Sequence, residues 1–507
     1  MNQPAQGSVH RVNEDAMSLY KLGRDHYGRQ AFELAETVFR KATEIEPGWP
    51  QAKIALSSTL QKRSCSSEAE SILRQALVDF PGDESVHNAL GLLLCETNRP
   101  EEAGQHYREA IRLNPEFYQA KNNLGVLLTN LDKLQEAETI LRSGLATNEN
   151  SHQMLSNLGR VLAHQGKPKE AIRAYRQALT LSPDFAEAKL NLSHALLALG
   201  EYEEGWSLYE SRHDPAIGAR ITVAPPAIWP MWHGESLAGK SILVWPEQGF
   251  GDTIQFCRYA SMLKKRGAER VSIACQPELR HLFKSLQDVD AVFALDGNGT
   301  IQRHDYWCYV MSLPHRFGST LGTIPGSTPY LRADAERISW WQERLPPGGL
   351  RVGLVWAGDP RRNTAAARTM DSRRSVSADA FLPILRVPDV TFVSLQKGAI
   401  AEQQIFNLPL ELRPYDPMGL VADFLDTASI IASLDLVITV DSSVAHVAGA
   451  LDKPVWILSR FDGCWRWLYD RDDSPWYPRA RVFRQREPGD WASVIARVAH
   501  ELQNLRG

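Results

Sequence analysis

Two short stretches of this chain pair small, flexible residues with a carboxylate at the end of an apolar run. The first is Val244-Trp245-Pro246-Glu247-Gln248-Gly249-Phe250-Gly251-Asp252-Thr253, and the second is Val440-Asp441-Ser442-Ser443-Val444-Ala445-His446. In both, a predicted strand hands over to a predicted helix. Unpaired backbone N–H groups and the positive end of the helix dipole then favour a phosphate or a developing negative charge. Asp252 has two readings at this level. A carboxylate there can serve as a proton acceptor if partial burial lifts its pKa towards neutrality, and it is also a good helix cap. Ser442 and Ser443 offer hydroxyls to phosphate groups, whereas Asp441 suits a ligand hydroxyl or the ordering of its own loop, since a carboxylate facing phosphates repels them. His446, one turn into the helix, reads equally as a ligand contact or a buried structural histidine. Positive charge for a bound anion is available from Lys397, next to Gln396 at another strand end, and from Arg374 in Asp371-Ser372-Arg373-Arg374-Ser375. The first turn is not a dinucleotide fingerprint, because Ile254 stands where the third glycine of G-x-G-x-x-G belongs.

Composition narrows the class. The chain has 507 residues, 56 basic and 60 acidic, for a net charge of −4, which gives no electrostatic case for nucleic acid or an anionic membrane. Its six cysteines lack any C-x-x-C pairing, against a zinc site or a disulfide framework. No apolar run approaches the ~20 residues of a membrane span, and Met1–His10 has no signal-peptide core. A cytoplasmic protein without metal or resident cofactor is expected. Asp288-Val289-Asp290 superficially offers paired metal-binding acids, but it precedes a strand and reads as a solvated turn.

The elements that must position these residues fall into two classes. Over the first 215 residues, Leu22-Gly23, Leu56-Ser57, Leu90-Gly91, Leu124-Gly125, Leu158-Gly159 and Leu192-Ser193 recur every 34 residues. A small residue follows at Ala35, Ala69, Ala103, Ala137, Ala171 and Gly205, then a bulky one at Phe39, Leu73, Tyr107, Leu141, Tyr175 and Tyr209. Pro47, Pro81, Pro115 and Pro183 close the unit. Small residues let paired helices approach, large ones fill the gap, and proline ends the second helix. Period, spacing and terminator resemble the tetratricopeptide repeat, in five full copies and a partial sixth over residues 16–215, preceded by a disordered 1–15. The resemblance implies an α-solenoid that binds polypeptide. Asn123, Asn157 and Asn191 share one repeat position and are expected to form a ladder that either clamps an extended acceptor backbone or serves packing.

A proline-rich stretch around Ala224–Pro230 marks a linker, 216–239, after which the pattern changes. Val/Ile/Leu runs at 241–245, 271–275 and 291–295 alternate with helical segments, and a second set at 352–356, 390–395, 436–440 and 455–458 follows a break at Pro346-Pro347-Gly348-Gly349. Such alternation predicts two Rossmann-like α/β domains, 240–345 and 350–507, with ligands at the carboxyl ends of parallel strands. Gly249–Asp252, Gly358, Gln396-Lys397 and Asp441–Ser443 all follow strands. Trp465, Trp467, Trp476 and Tyr477 are expected either to stack on a base or sugar or to seal a loop, and the sequence leaves open whether the final helix, from Trp491, crosses back over the first domain.

On the glycine turn ending in Asp252 and the Asp441–His446 run, residues 229–485 resemble the lipopolysaccharide heptosyltransferases, an inverting, metal-independent glycosyltransferase family of GT-B fold. The resemblance implies that Asp252 is the general base, with Gly249 and Gly251 beside the sugar. It also implies that the nucleotide-sugar donor lies on the second domain, near Arg374, Gln396, Lys397, Asp441, Ser442, Ser443 and His446. The loop Arg361–Arg368 is longer than in that family and lacks its lysine, which leaves the phosphate contact open among Arg362, Arg373, Arg374 and Lys397. Repeats followed by a GT-B pair also resemble the architecture of the O-linked N-acetylglucosamine transferases. The fold class expected is thus α plus α/β, and the function a sugar transferase whose repeats recruit the acceptor, a polypeptide or a glycan. The alternative is a tetratricopeptide scaffold with a non-catalytic transferase-like domain.

Overall fold

A computed structural model describes residues 12–217, 225, 229–297, 301–326, 328–358 and 365–505, with 365–368 and 370 by their backbone only. The chain divides into two compact units, Met1–Val161 and Leu162–Gly507.

In the first unit, helices come in pairs. Glu14–Gly28 pairs with Phe32–Ile45, Pro50–Lys62 with Ser66–Asp79, Glu84–Glu96 with Pro100–Leu113, and Tyr118–Asn130 with Leu134–Thr147. Helix His152–His164 runs over the division. The spacing read from sequence is realised as contact. A Cβ placed on Gly23, Gly91 or Gly125 would fall 2.6, 2.6 or 2.5 Å from Phe39, Tyr107 or Leu141, the bulky residue of the paired helix. The turn inside each pair passes through a left-handed residue, Gln30, Ser64, Asn98 or Asp132, with φ near 60°. The N–H of the following residue then reaches back to the helix, as Cys65 N does to Leu60 O at 2.8 Å. Contrary to a disordered start through residue 15, Asn13 caps the first helix by accepting from Asp15 N and Ala16 N. Residues 1–11 lie outside the described residues.

The second unit contains the repeat helices Pro168–Leu181, Ala186–Ala198 and Tyr202–Tyr209, then two wholly parallel sheets. The first sheet has the order β3-β2-β1-β4, from Ser241–Trp245 (β1), Arg270–Cys275 (β2), Ala291–Ala294 (β3) and Tyr306–Tyr309 (β4). The second has the order β6-β5-β7-β8-β9, from Leu350–Val355 (β5), Val390–Ser394 (β6), Leu436–Val440 (β7), Val455–Ser459 (β8) and Ala480–Arg484 (β9). Strands β7 and β8 are buried along their whole length, as expected where both faces of a parallel sheet are covered. One continuous core joins Tyr202, Trp206 and Tyr209 of the last repeat to both sheets. Trp206 meets Phe256 and Trp465 edge-on at 5.8 and 5.3 Å, and Trp476 Nε1 donates to Tyr202 Oη at 3.1 Å.

The described end of the linker packs on the first sheet: Met231 bridges to Trp307 of β4, and Trp232 is fully buried. The final helix, Trp491–Asn504, packs on its own lobe, against Ala378–Phe381, Leu382–Leu385 and β9, instead of crossing to the first.

Candidate functional site

In open α/β sheets the ligand crevice lies where strand order reverses, outside the carboxyl ends of the two strands concerned. The orders found here put one such point between β1 and β4 and another between β5 and β7. The first is filled by the repeat end of the chain. Arg212, its side chain wholly buried, donates to both oxygens of Glu247 after β1, at 3.0 and 2.8 Å. It also donates to Ser312 Oγ after β4 at 2.7 Å and to Glu210 at 2.7 Å. Burial works to lower the Arg212 pKa, but Glu247 and Glu210 outweigh it and hold the guanidinium charged. Beside this network Gln248, in a left-handed conformation (φ 59°), donates from Nε2 to Tyr209 Oη at 2.8 Å. The glycine turn is therefore built directly onto the last repeat.

At the second point, Arg374 bridges the two strand ends. Its guanidinium lies against Gly358 so closely that a Cβ there would fall 2.3 Å from Nη2, and Nη1 reaches the carbonyl of Asp441 at 3.4 Å. Asp371 anchors the same side chain at 3.0 Å. Helix Ser443–Ala450 starts here without a side-chain cap, because Ser442 Oγ is paired with Thr439 Oγ1 at 2.9 Å instead. Asp441 Oδ1 accepts from Trp467 Nε1 at 2.9 Å. Burial works to raise the Asp441 pKa, and the arginines Arg374 and Arg466 bring it below the usual carboxylate range.

The two lobes meet between these points. Gly251 faces the N-terminal turn of the Ser443–Ala450 helix, and a Cβ on it would stand 2.8 Å from His446 Cδ2 and 3.6 Å from Ser443 Cα. His446 is buried, shares a 2.9 Å hydrogen bond between Nδ1 and Tyr477 Oη, and stacks on Trp467 at 5.3 Å. Burial, and after it the charge of Arg466, push its pKa down to about 4, so the imidazole is neutral at pH 7. Asp252 is nearly buried, and both of its oxygens are engaged. Oδ2 accepts from Gly249 N at 2.9 Å, and Oδ1 accepts from Arg466 Nη2 across the lobe boundary. Asp252 thus caps its helix and carries an ion pair at once.

Several candidates occupy other places. Gln396 is a backbone brace: Oε1 accepts from Trp356 N and Ala357 N, and Nε2 donates to Ala357 O and Lys397 O, which spends its donor and acceptor groups inside the protein. Lys397 donates to Met418 O at 2.8 Å and Val421 O at 3.4 Å. Arg373 turns away to His164 Nδ1 and Asp462 Oδ2, at 3.0 and 3.2 Å. Arg362 lies outside the described residues. Trp465, Trp467, Trp476 and Tyr477 are buried and seal the loop after β8 instead of offering a stacking surface. Asp290 accepts from Val271 N and pairs with Lys264, and Asp288 is exposed in a left-handed turn. Among the described residues no group of three potential metal ligands occurs.

The asparagine set bonds one repeat back, to asparagines at the neighbouring repeat position. Asn123 Nδ2 donates to Asn88 Oδ1 at 2.9 Å and Asn157 Nδ2 to Asn122 Oδ1 at 2.8 Å, each reaching 35 residues back. Part of its hydrogen-bonding capacity therefore ties one repeat to the preceding one. Asn191, at the same repeat position, is half-buried in the second unit.

Tetratricopeptide repeat family models match residues 54–116, 94–158 and 162–206, so these helix pairs are tetratricopeptide repeats. Protein FlbA of Caulobacter vibrioides is 29% identical over 331 residues, which cover 61% of this chain and 54% of FlbA. The chain thus spans about half the length of that curated relative. Among solved structures, the pilF protein of Pseudomonas aeruginosa is similar at 24% identity, covering 41% of this chain and 94% of its own, with a TM-score of 0.36. A thermophilic TPR protein of Thermus thermophilus is similar at 22% identity, covering 36% and 99%, with a TM-score of 0.33. No helix of the described residues is long and apolar enough to cross a membrane. The repeats suggest a protein-interaction scaffold.

Proposed function

We propose that the two α/β lobes, residues 240–345 and 350–507, form a GT-B glycosyltransferase that moves a sugar, with inversion, from a nucleoside-diphosphate donor to a polypeptide presented by the repeats. The observation that carries this reading is that the turn holding Asp252 packs, through Gly251, on the Ser443–Ala450 helix, whose uncapped start lies with Arg374 at the strand-order reversal of the second sheet. In this scheme the acceptor hydroxyl gives its proton to Asp252 while its oxygen attacks the anomeric carbon. The bond from that carbon to the diphosphate breaks with its electron pair on the leaving oxygen. Arg374 and the helix N–H groups meet that negative charge, and such preorganised donors supply much of the barrier lowering in reactions of this kind. His446, neutral and fixed by Tyr477 and Trp467, shapes the wall behind Gly251.

A second reading, a scaffold whose α/β half does not turn over, is favoured by the engagement of both Asp252 oxygens. Incubating the full chain with a panel of nucleotide sugars and co-purified polypeptides separates the two. Release of nucleoside diphosphate together with a hexose, heptose or acetylhexosamine mass added to a polypeptide is expected. No release and no thermal shift with any donor would leave the scaffold reading standing.

A further inference from the structure

Arg466 follows β8 on the second lobe, yet its polar contacts are made largely with the first. Nη2 donates to Asp252 Oδ1, Nε donates to Gln255 Oε1 at 3.0 Å, and Nη1 reaches Cys464 Sγ at 3.2 Å. The guanidinium rests on Trp465, 4.2 Å from the ring centroid, and is almost entirely buried. Three features mark this arrangement as one that can be exchanged. The contact uses one carboxylate oxygen through one nitrogen, not the two-pronged geometry that makes an arginine–carboxylate pair strong. It leaves Gln255 Nε2 buried without a hydrogen-bond partner, and an unmet buried donor is costly. The same guanidinium also stands close enough to Asp441 and His446, at the uncapped helix start, to act on both electrostatically.

We propose that Arg466 is a cross-lobe latch: in this state it holds Asp252, and the diphosphate of a nucleotide entering at the Ser443–Ala450 helix draws the guanidinium onto phosphate oxygens and frees Asp252 Oδ1. The inference rests on the transferase reading, and it adds a residue that couples donor arrival to release of the base. Phosphate competes well for the position because its oxygens accept from arginine in pairs and carry more charge than a single carboxylate.

The test is isothermal titration of the full chain with UDP, GDP and ADP, alongside circular dichroism to verify folding. The expected result is that one nucleotide binds the wild type, that Arg466→Met weakens it by about ten-fold or more, and that Arg466→Lys weakens it less. Asp252→Asn removes the competing charge and is expected to tighten the same nucleotide by about ten-fold, which a purely structural ion pair would not produce. If the wild type binds and folded Asp252→Asn binds no more tightly, the latch is overturned while the transferase reading survives. If the wild type binds none of the three, both fall.

Discussion

The two units of this chain use charge in opposite ways. In residues 1–161 arginines on successive second helices reach forward to the next repeat, Arg40 to Glu68 at 2.6 Å, Arg74 to Glu102 at 2.5 Å and Arg108 to Glu136 at 2.7 Å, and every partner is at least partly exposed. In residues 162–507 the decisive pairs, Arg212 with Glu247 and Arg466 with Asp252, are buried and join elements far apart in sequence. Exposed pairs contribute little and are screened by salt, whereas breaking a buried pair strands a charge without water. The repeats are therefore held by apolar fit and tolerate changes of charge. The α/β unit depends on a few ionic contacts, and those contacts surround the candidate site.

The sharpest way to break this contrast is Arg212→Ala. It would leave Glu247 and Glu210 buried without their partner and is expected to cost about 3–5 kcal/mol in denaturant unfolding. Trp49 is the only tryptophan in residues 1–161, so tryptophan fluorescence follows the second unit. A loss below about 1 kcal/mol would contradict the buried-pair account.

Acid comes next. Burial holds His194, His213 and His446 at about 4, below their unfolded value near 6.5. Their contribution is complete above pH 6.5 and is lost as pH falls through that value towards 4, on the order of a few kcal/mol together. Residues 1–161 add His106 to this window. Their glutamates Glu36, Glu70 and Glu102, which arginines keep below the usual range against a burial penalty, lose their contribution only below about 4.5. Fluorescence-detected unfolding between pH 7 and 4 is expected to show the second unit weakening first.

Gly251→Ala presses a methyl against His446, whose ring is pinned on Trp467, and should cost about 1–3 kcal/mol in the same assay. At the small end, Arg74→Ala should change stability by less than about 1 kcal/mol, and by less still in high salt. Circular dichroism of the repeats is the readout, and a larger effect would mean that the exposed ladder carries real stability.

What could be read beforehand follows from the range over which each feature is encoded. The repeats repeat, so their helix pairs and small-to-large contacts are local and periodic. The arginine ladder is equally legible, since Arg40, Arg74, Arg108, Arg142 and Arg176 each follow the bulky residue at the 34-residue spacing. The left-handed turn residues escaped because Gln30, Ser64, Asn98 and Asp132 share a conformation and no residue type. Strands with Val/Ile/Leu runs were found, with β1 and β7 at their observed limits, while β4 (Tyr306-Trp307-Cys308-Tyr309) and β9 (Ala480-Arg481-Val482-Phe483-Arg484) lack such runs. In the site, strand ends point to Asp252 and Asp441, because that rule is topological, whereas Arg374 is named by the family resemblance alone. Arg212 and Arg466 escaped it: their partners lie 35 and 214 residues away, a separation no local pattern encodes.

The most direct test of the transferase account compares wild type and Asp252→Asn for nucleoside diphosphate release from the same nucleotide sugar, with polypeptide acceptor present and folding verified. The account predicts measurable release by the wild type and a fall of about a hundred-fold or more in the variant, the scale expected when a proton acceptor is removed. Equal release by the two proteins would reduce Asp252 to a helix cap, and absence of release from both would contradict the enzymatic reading.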